Sequence, residues 1–181
     1  MAGIPTAVVI VGGGAAANAA AEMLRREGYS GRITMLSADE SVPCDRPNLS
    51  KGYLSGAAVD ESNPLRSEKF YKDHEIDLHL STRVTALDTA ARQVRLSDGS
   101  RHSYEALLLA TGAEPVRLDV PGADLPHVHY LRTLADGRGL VASALVAKHA
   151  VVICASFIGL EVAGSLRARD IEVHVGPTET V

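Results

Sequence analysis

An α/β fold built on parallel strands is the fold class that this sequence predicts, and three observations predict it. An apolar run over residues 7–11 breaks into glycines and continues as an alanine-rich stretch. A second apolar run over 32–36 completes a strand–helix–strand unit, whose crossover we expect to be right-handed. The same succession recurs over residues 150–175, so the sequence predicts two such units.

The turn of the first unit has the pattern of a nucleotide-binding turn. Gly12 permits a tight turn, Gly14 lets phosphates approach the backbone, and Ala17 holds the position where the helix packs closely on the strand. The free N–H groups that begin such a helix form an anion site, usually occupied by a dinucleotide pyrophosphate. A strand–turn–helix without any ligand is the alternative interpretation.

An acidic residue follows the second strand of this unit. Asp39 stands where a carboxylate can accept both hydroxyls of a nucleotide ribose. It lies somewhat farther from Gly14 than the usual spacing, which implies a longer helix or loop. The alternative is that Asp39 is a solvated loop charge.

The middle of the chain predicts irregular and antiparallel structure. Residues 41–66 form a long segment rich in Pro and Gly, in which we expect a short helix at 49–54. Three short alternating segments follow, with the hairpin signal Asp98-Gly99 between the last two, and they predict an antiparallel meander. The apolar run 106–110 is then expected at the centre of the parallel sheet.

Composition and charge argue against several classes of protein. The net charge is −4 with no block of Lys and Arg, which argues against a nucleic-acid surface. No apolar run approaches the roughly 20 residues that cross a bilayer. Cys44 and Cys154 are far apart and form no metal or C-x-x-C motif, as expected in a reducing compartment. We therefore expect a cytoplasmic protein without a nucleic-acid, membrane or metal site.

Four segments carry a family resemblance: Gly12-Gly13-Gly14, Cys44-Asp45-Arg46-Pro47-Asn48-Leu49-Ser50-Lys51, Ala110-Thr111-Gly112-Ala113-Glu114-Pro115 and Ser156-Phe157-Ile158-Gly159-Leu160-Glu161. With these residues the chain resembles the N-terminal part of an FAD-dependent pyridine nucleotide-disulfide oxidoreductase, in the branch of ferredoxin reductase and apoptosis-inducing factor. The R-P-x-L-S-K part of the second segment is quite specific to this branch.

The resemblance implies a domain organisation. Residues 1–118 would form a Rossmann-like FAD-binding domain, with a parallel sheet plus an antiparallel β-meander. Residues 119–181 would form the start of a second Rossmann-like domain that binds NAD(P)H, reduced to its first β-α-β unit. Because so small a unit cannot cover its apolar faces, we expect residues 150–181 to pack on the first domain, pair with another copy as a homo-oligomer, or be partly disordered. A fragment and a natural short form are both consistent with this organisation.

The resemblance also implies roles for individual residues. Lys51, near the flavin, and Glu161, beside the nicotinamide, are the expected catalytic residues. The backbone of Val84 would hold the adenine, and Asp39 the ribose, although many relatives carry a Glu one position earlier, where this chain has Ala38. The whole cofactor-binding set implied is Gly12, Gly14, Ala17, Asp39, Arg46, Lys51, Val84, Ala110, Thr111, Gly112, Phe157 and Gly159.

The second nucleotide turn departs from the family pattern. Its three glycine positions hold Cys154, Ser156 and Gly159. A Cβ at the first position is strained if the backbone needs a positive φ, and a side chain at the second narrows access for a pyrophosphate. We therefore expect NAD(P)H binding to be weak or lost.

The function implied by the resemblance is hydride transfer from NAD(P)H to FAD, followed by electron delivery to a ferredoxin or Rieske-type acceptor. The alternative is a truncated, catalytically silent module that binds FAD or another nucleotide, which Cys154 and Ser156 favour. Whether this chain alone is an enzyme stays open at this point. A short NAD(P)-only dehydrogenase is disfavoured because no tyrosine is followed by a lysine at the Tyr-x-x-x-Lys spacing.

Overall fold

The computed structural model describes residues 3–176, which form two compact units. The first unit runs to Cys44 and resumes over Pro64–Ala113, whereas the second consists of Asp45–Asn63 and the residues from Glu114 onward. The segment Asp45–Asn63, called the loop segment below, therefore groups by its contacts with residues much later in the sequence. The domain division at residues 118 and 119 stays a prediction.

In chain order the secondary-structure elements are β1 (Ala7–Val11), α1 (Ala15–Arg26), β2 (Arg32–Leu36), α2 (Arg46–Leu49), α3 (Gly52–Ser55), a 3-10 turn (Asp60–Ser62), α4 (Glu68–Asp73), β3 (Ile76–His79), β4 (Val84–Asp88), β5 (Gln93–Leu96), β6 (Arg101–Ser103), β7 (Ala106–Leu109), α5 (Leu134–Ala144), β8 (His149–Ile153), α6 (Phe157–Arg167) and β9 (Glu172–Gly176).

The first unit confirms the predicted α/β class. Its sheet is parallel in the order β3-β2-β1-β7, and β4-β5-β6 form the separate antiparallel meander. Val8 and Ile10 pack on one face with Ala17 of α1, whereas Val9 packs on the other face with Val94 of the meander. Because both faces of β1 are covered, its sequence is continuously apolar rather than alternating.

Two predicted elements differ from the structure. The run 106–110 is not central, because β7 is the outer strand beside β1, and Leu109 is 59% exposed. An apolar run of this length does not by itself distinguish an edge from a centre. The helix expected at 49–54 is divided into α2 and α3, since Lys51 has the non-helical torsions φ −113° and ψ −112°.

The second unit is a parallel pair of strands with helices on one face. Leu54 of the loop segment, Ala144 of α5, and Leu166 of α6 form its buried core with Ile171. The strand–helix–strand unit is thus covered by α5 and the loop segment. Val151, whose side chain lies on the opposite face of β8 from the core-facing Ala150 and Val152, is 70% exposed. Within residues 3–176 no helix is long and apolar enough to span a bilayer.

Candidate functional site

The carboxyl ends of three parallel strands meet at one edge of the first unit. Val11 at the end of β1 is in register with Leu36 of β2 and with Leu109 of β7. Open α/β sheets bind ligands in the crevice at this edge. The glycine turn, Asp39, and the segment after β7 all leave the sheet here.

Gly12 occupies a position that only glycine fits. Its φ is +138°, and its N–H donates to the carbonyl of Leu36 at 2.9 Å. A Cβ at Gly12 would lie 2.1 Å from the carbonyl oxygen of Ala110. Ala110 is held there because its N–H donates to the carbonyl of Val11 at 2.8 Å. The tight turn expected from the sequence is present, and it has no room for a side chain.

Gly13 is a structural requirement that the sequence analysis missed. A Cβ at Gly13 would lie 2.0 Å from Oγ of Ser37, which is fully buried after β2. The only signal in the sequence is that the middle position of the run, to which the nucleotide pattern gives no role, is also glycine.

The beginning of α1 is suited to bind an anion. Gly14 is its N-cap, with φ −95° and ψ −173°, and no side chain caps the helix. Within this described helix the first turn has no acidic residue, whereas Arg25 and Arg26 lie in the last turn. The first N–H groups are therefore free of intrahelical partners and of negative competitors. Ala17 is fully buried, so its contribution is the close packing of α1 on the sheet.

Four further predicted ligands lie along the first unit. Asp39 is half-buried, its N–H donates to Oγ of Ser37 at 3.2 Å, and it follows β2 as expected. Val84 begins β4, Thr111 is exposed just after β7, and Gly112 has a φ of +68°. Their contacts with a nucleotide stay predictions.

The turn of the second unit shares the N-cap torsions and the hydrogen bond to the neighbouring strand with the turn of the first unit. Its N-cap, Ser156, has φ −99° and ψ −176°, close to the torsions of Gly14. The N–H of Cys154 donates to the carbonyl of Gly176 at 3.1 Å, as Gly12 does to the strand beside it. A Cβ at Gly159 would lie 1.8 Å from the carbonyl oxygen of Cys154, so glycine is required there.

Cys154 fits its turn without a left-handed backbone. Among residues 3–176, positive φ outside glycine is confined to Glu75, Ser81, Arg92 and Asp170. The strain considered for a Cβ at this position is therefore absent.

The Cys154 thiol lies against the first turn of α6. Its Sγ lies 2.8 Å from Oγ of Ser156. Hydrogen bonding to this hydroxyl, and then to the N–H groups of Ser156 and Gly159, holds the pKa of Cys154 below its usual value. The sulfur thus uses donors that a pyrophosphate would need at this helix.

The two predicted catalytic residues form an ion pair in the second unit. Nζ of Lys51 lies 3.1 Å from Oε1 of Glu161, and the hydroxyl of Ser50 donates to Oε2 of the same carboxylate at 2.7 Å. The hydrogen bond from Ser50, followed by that from Lys51, holds the pKa of Glu161 below its usual value. Glu161 is therefore an ionised, oriented carboxylate rather than an isolated acid on a helix surface.

The two remaining predicted residues of the second unit lie at helix starts. Arg46 is the half-buried first residue of α2, and Phe157 is the first residue of α6. Phe157 is 88% exposed, and its contact with a cofactor stays a prediction. In the described part of the chain, no group of three His, Cys, Asp or Glu side chains is placed to hold a metal ion.

Fold and turns together define a protein with two strand–helix–strand units of the nucleotide-binding kind. The sequence pattern of the pyridine nucleotide-disulphide oxidoreductase family matches residues 6–177. The chain belongs to this family.

Individual relatives agree with the branch that the four segments indicate. Rhodocoxin reductase of Rhodococcus erythropolis is 43% identical over 169 residues, which are 93% of this chain and 40% of the relative. Rubredoxin-NAD(+) reductase of Pseudomonas putida is 39% identical over 159 residues, which are 88% of this chain and 41% of the relative. The chain thus spans about two fifths of the length of these relatives.

A solved structure shows the same fold. The ferredoxin reductase for the CYP199A2 system of Rhodopseudomonas palustris has a TM-score of 0.89 and 42% sequence identity, covering 94% of this chain and 42% of that chain. Since the family and the fold are both shown, the resemblance to the N-terminal part of such a reductase is confirmed.

Proposed function

We propose that this chain acts as part of an FAD-dependent NAD(P)H oxidoreductase of the ferredoxin-reductase type, with hydride transfer from NAD(P)H to the flavin and electron delivery to a ferredoxin or Rieske-type acceptor. The observation that carries the proposal is the beginning of α1, which follows the tight turn at Gly12 and is capped by no side chain. The names of the relatives, which are reductases of rubredoxin and of ferredoxin systems, support it.

The residues of the first unit fit FAD by their chemistry. The free N–H groups after Gly14 would hold the pyrophosphate, and the carboxylate of Asp39 would accept the ribose hydroxyls. The missing Cβ at Gly12 lets the chain turn sharply enough to present those N–H groups. When bound, FAD supplies the change from two-electron to one-electron chemistry that no side chain can provide.

The ion pair of the second unit would tune and orient the reaction. The ammonium of Lys51 places a positive charge that favours a reduced, anionic flavin. Glu161 stays ionised because Ser50 and Lys51 satisfy its oxygens, and it would orient the nicotinamide amide. Phe157, exposed at the start of α6, would cover the flavin face until the nicotinamide arrives.

Two further parts of the proposal, the location of the protein in the cell and its oligomeric state, rest on separate observations, and the division into domains follows the family resemblance. The two distant cysteines favour a cytoplasmic protein. The exposed side chains Val151 and Ile153 on β8 favour a homo-oligomer through the second unit. Residues 1–118 and 119–181 are proposed as the FAD-binding and NAD(P)H-binding domains.

A catalytically silent FAD-binding module is the second candidate, and one specific observation favours it. The thiol of Cys154 lies 2.8 Å from the hydroxyl of Ser156 at the start of α6, and its pKa is lowered by this hydroxyl and by the N–H groups of Ser156 and Gly159, which lie where a second pyrophosphate would bind. In this alternative FAD binds to the first unit, but NAD(P)H does not bind productively to the second.

The visible absorption spectrum of the purified chain, saturated with FAD and then treated anaerobically with NADH or NADPH, separates the candidates. Bound flavin that bleaches supports the reductase. Bound flavin that stays oxidised with either coenzyme but bleaches with dithionite supports the silent module. Failure to bind FAD at all contradicts both.

A further inference from the structure

One face of α6 contacts the loop segment over consecutive helical turns. Glu161 and Ser165 are one turn apart on α6, and Arg169 follows one turn later, just beyond the end of the helix. Glu161 binds the side chains of Ser50 and Lys51, and Nε of Arg169 donates to the carbonyl of Leu54. Ser165 lies between these two contacts and has no role in the family pattern described above.

Ser165 binds the backbone at the point where α2 ends and α3 has not begun. It is 7% exposed, and its Oγ lies 2.7 Å from the carbonyl oxygen of Ser50 and 3.1 Å from that of Lys51. The carbonyl of Ser50 belongs to the end of α2, where carbonyls lack an intrahelical partner, whereas the carbonyl of Lys51 also accepts from the N–H of Ser55 at 2.9 Å. The hydroxyl of Ser165 has a single proton, which its contacts with these two carbonyls share, and the shared contact restrains their relative position.

A competing acceptor lies within the loop segment itself. The carbonyl oxygen of Pro47 lies 3.2 Å from Oγ of Ser50 and 3.3 Å from Nζ of Lys51. Both side chains can therefore interact locally with Pro47 or across to Glu161. The position of the backbone between them decides how far each reaches toward the carboxylate.

We infer that Ser165 is a positioning residue, which holds the backbone of Ser50 and Lys51 so that the hydroxyl and the ammonium meet the two carboxylate oxygens of Glu161. The functional meaning of this inference rests on the role proposed above for Lys51 and Glu161. The hydroxyl of Ser165 donates to the main-chain carbonyls of Ser50 and Lys51. These hydrogen bonds involve neither the ammonium of Lys51 nor the carboxylate of Glu161.

The titration of the Glu161 carboxyl, followed by carbon NMR in the folded chain without FAD, tests the inference. In Ser165→Ala we expect the hydroxyl of Ser50 and the ammonium of Lys51 to shift toward the carbonyl of Pro47. The pKa of Glu161 then rises toward its usual range. Ser165→Thr retains a hydroxyl and is expected to titrate like the wild type. Ser55→Ala is the matched control, because Oγ of Ser55 donates to the carbonyl of Gly52 within the loop segment.

An unchanged Glu161 titration in folded Ser165→Ala would overturn the inference, and so would a rise of equal size in Ser55→Ala. If Ser165→Ala does not fold, Ser165→Cys, whose thiol is a weak donor, is judged by the same two outcomes. Because the titration uses no flavin, it decides on Ser165 even if the chain binds no FAD. Where FAD binds, a flavin midpoint potential shifted in Ser165→Ala and restored in Ser165→Thr supports the link to the proposed function, and an unshifted potential overturns that link.

Discussion

Nζ of Lys51 and Oε1 of Glu161 lie 3.1 Å apart, although one residue follows α2 and the other belongs to α6. The pair exists because the loop segment groups with the second unit rather than with the strands that precede it in sequence. A residue expected beside the flavin is thereby linked directly to one expected beside the nicotinamide.

Lys51→Met is expected to weaken the dependence of stability on pH in acid. The folded-state pKa of Glu161 lies below its usual value of 4.5, so the pair stabilises the fold above that value. This stabilisation is lost as the pH falls through the folded-state pKa. In Lys51→Met the pKa of Glu161 rises, and the free energy of unfolding should change less between neutral pH and the range below 4.5. Urea unfolding over this range measures the difference.

Lys72→Met is the control for charge removal, since Lys72 lies exposed on α4. If Lys51→Met and Lys72→Met have the same acid dependence, the Lys51–Glu161 pair does not contribute as described.

Gly12→Ala is expected to cost more than about 3 kcal/mol in the free energy of unfolding, because a strained φ alone costs about 1–3 kcal/mol. The added Cβ would also overlap the carbonyl oxygen of Ala110. Gly28→Ala is the matched control, since Gly28 has a φ of +80° but no atom within 4 Å of the added Cβ. Equal losses in the two variants, measured by urea unfolding, would show that the contact with Ala110 is not a constraint.

Tyr53→Phe is expected to lower stability at neutral pH by about 2 kcal/mol, the value of a hydrogen bond to a charged group. The phenol of Tyr53 donates to Asp60, whose other oxygen accepts from Nε of Arg138 at 2.8 Å. Burial, together with this hydrogen bond, raises the pKa of Tyr53 from 10.0 to about 12.

The same variant should change the alkaline limb of the stability profile. A raised pKa means that the stabilisation is complete below pH 10 and lost as the pH rises through about 12. Tyr53→Phe should therefore lose less stability than the wild type across this window. Tyr71, whose pKa is also raised by burial, titrates in both proteins and cancels in the comparison. Parallel profiles would contradict the interaction with Asp60.

Cys154→Gly is expected to strengthen NADH binding by about 1 kcal/mol, or about fivefold in affinity. Without the thiol, the N–H groups of Ser156 and Gly159 are available to a pyrophosphate. Calorimetric titration with NADH measures the change, and Cys154→Ser serves as the control because its hydroxyl can still occupy these donors. Equal affinities in the Gly and Ser variants would contradict this account of weakened binding.

Local sequence patterns predicted the elements of this fold but not all of their partners. The glycine run after β1 and the Asp98-Gly99 turn are local signals, and both lie where they were expected. The edge position of β7 depends on which strands pair, which an apolar run does not specify. At the break between α2 and α3, the hydroxyl of Ser165 binds the carbonyls of Ser50 and Lys51, and a partner so distant in sequence leaves no local signal.

The site was predictable to the same extent. Gly12 was identified from the nucleotide-binding pattern and Gly159 from the family resemblance, and the structure gives each a steric reason. Gly13 and Ser165 were missed because their partners, Ser37 and the loop segment, are distant in sequence. From the sequence we considered backbone strain at Cys154 in case its φ were positive. In the structure the notable feature of Cys154 is instead its thiol, which binds the hydroxyl of Ser156 at the start of α6.

The most direct test of the central claim compares FAD affinity in Ala16→Glu and Ala16→Gln. Ala16 is exposed in the first turn of α1, where a carboxylate favours the helix but repels a pyrophosphate. We predict that Ala16→Glu binds FAD at least about tenfold more weakly than Ala16→Gln, or about 1.4 kcal/mol, without loss of thermal stability. Equal FAD affinities in the two variants would contradict binding of the pyrophosphate at the beginning of α1.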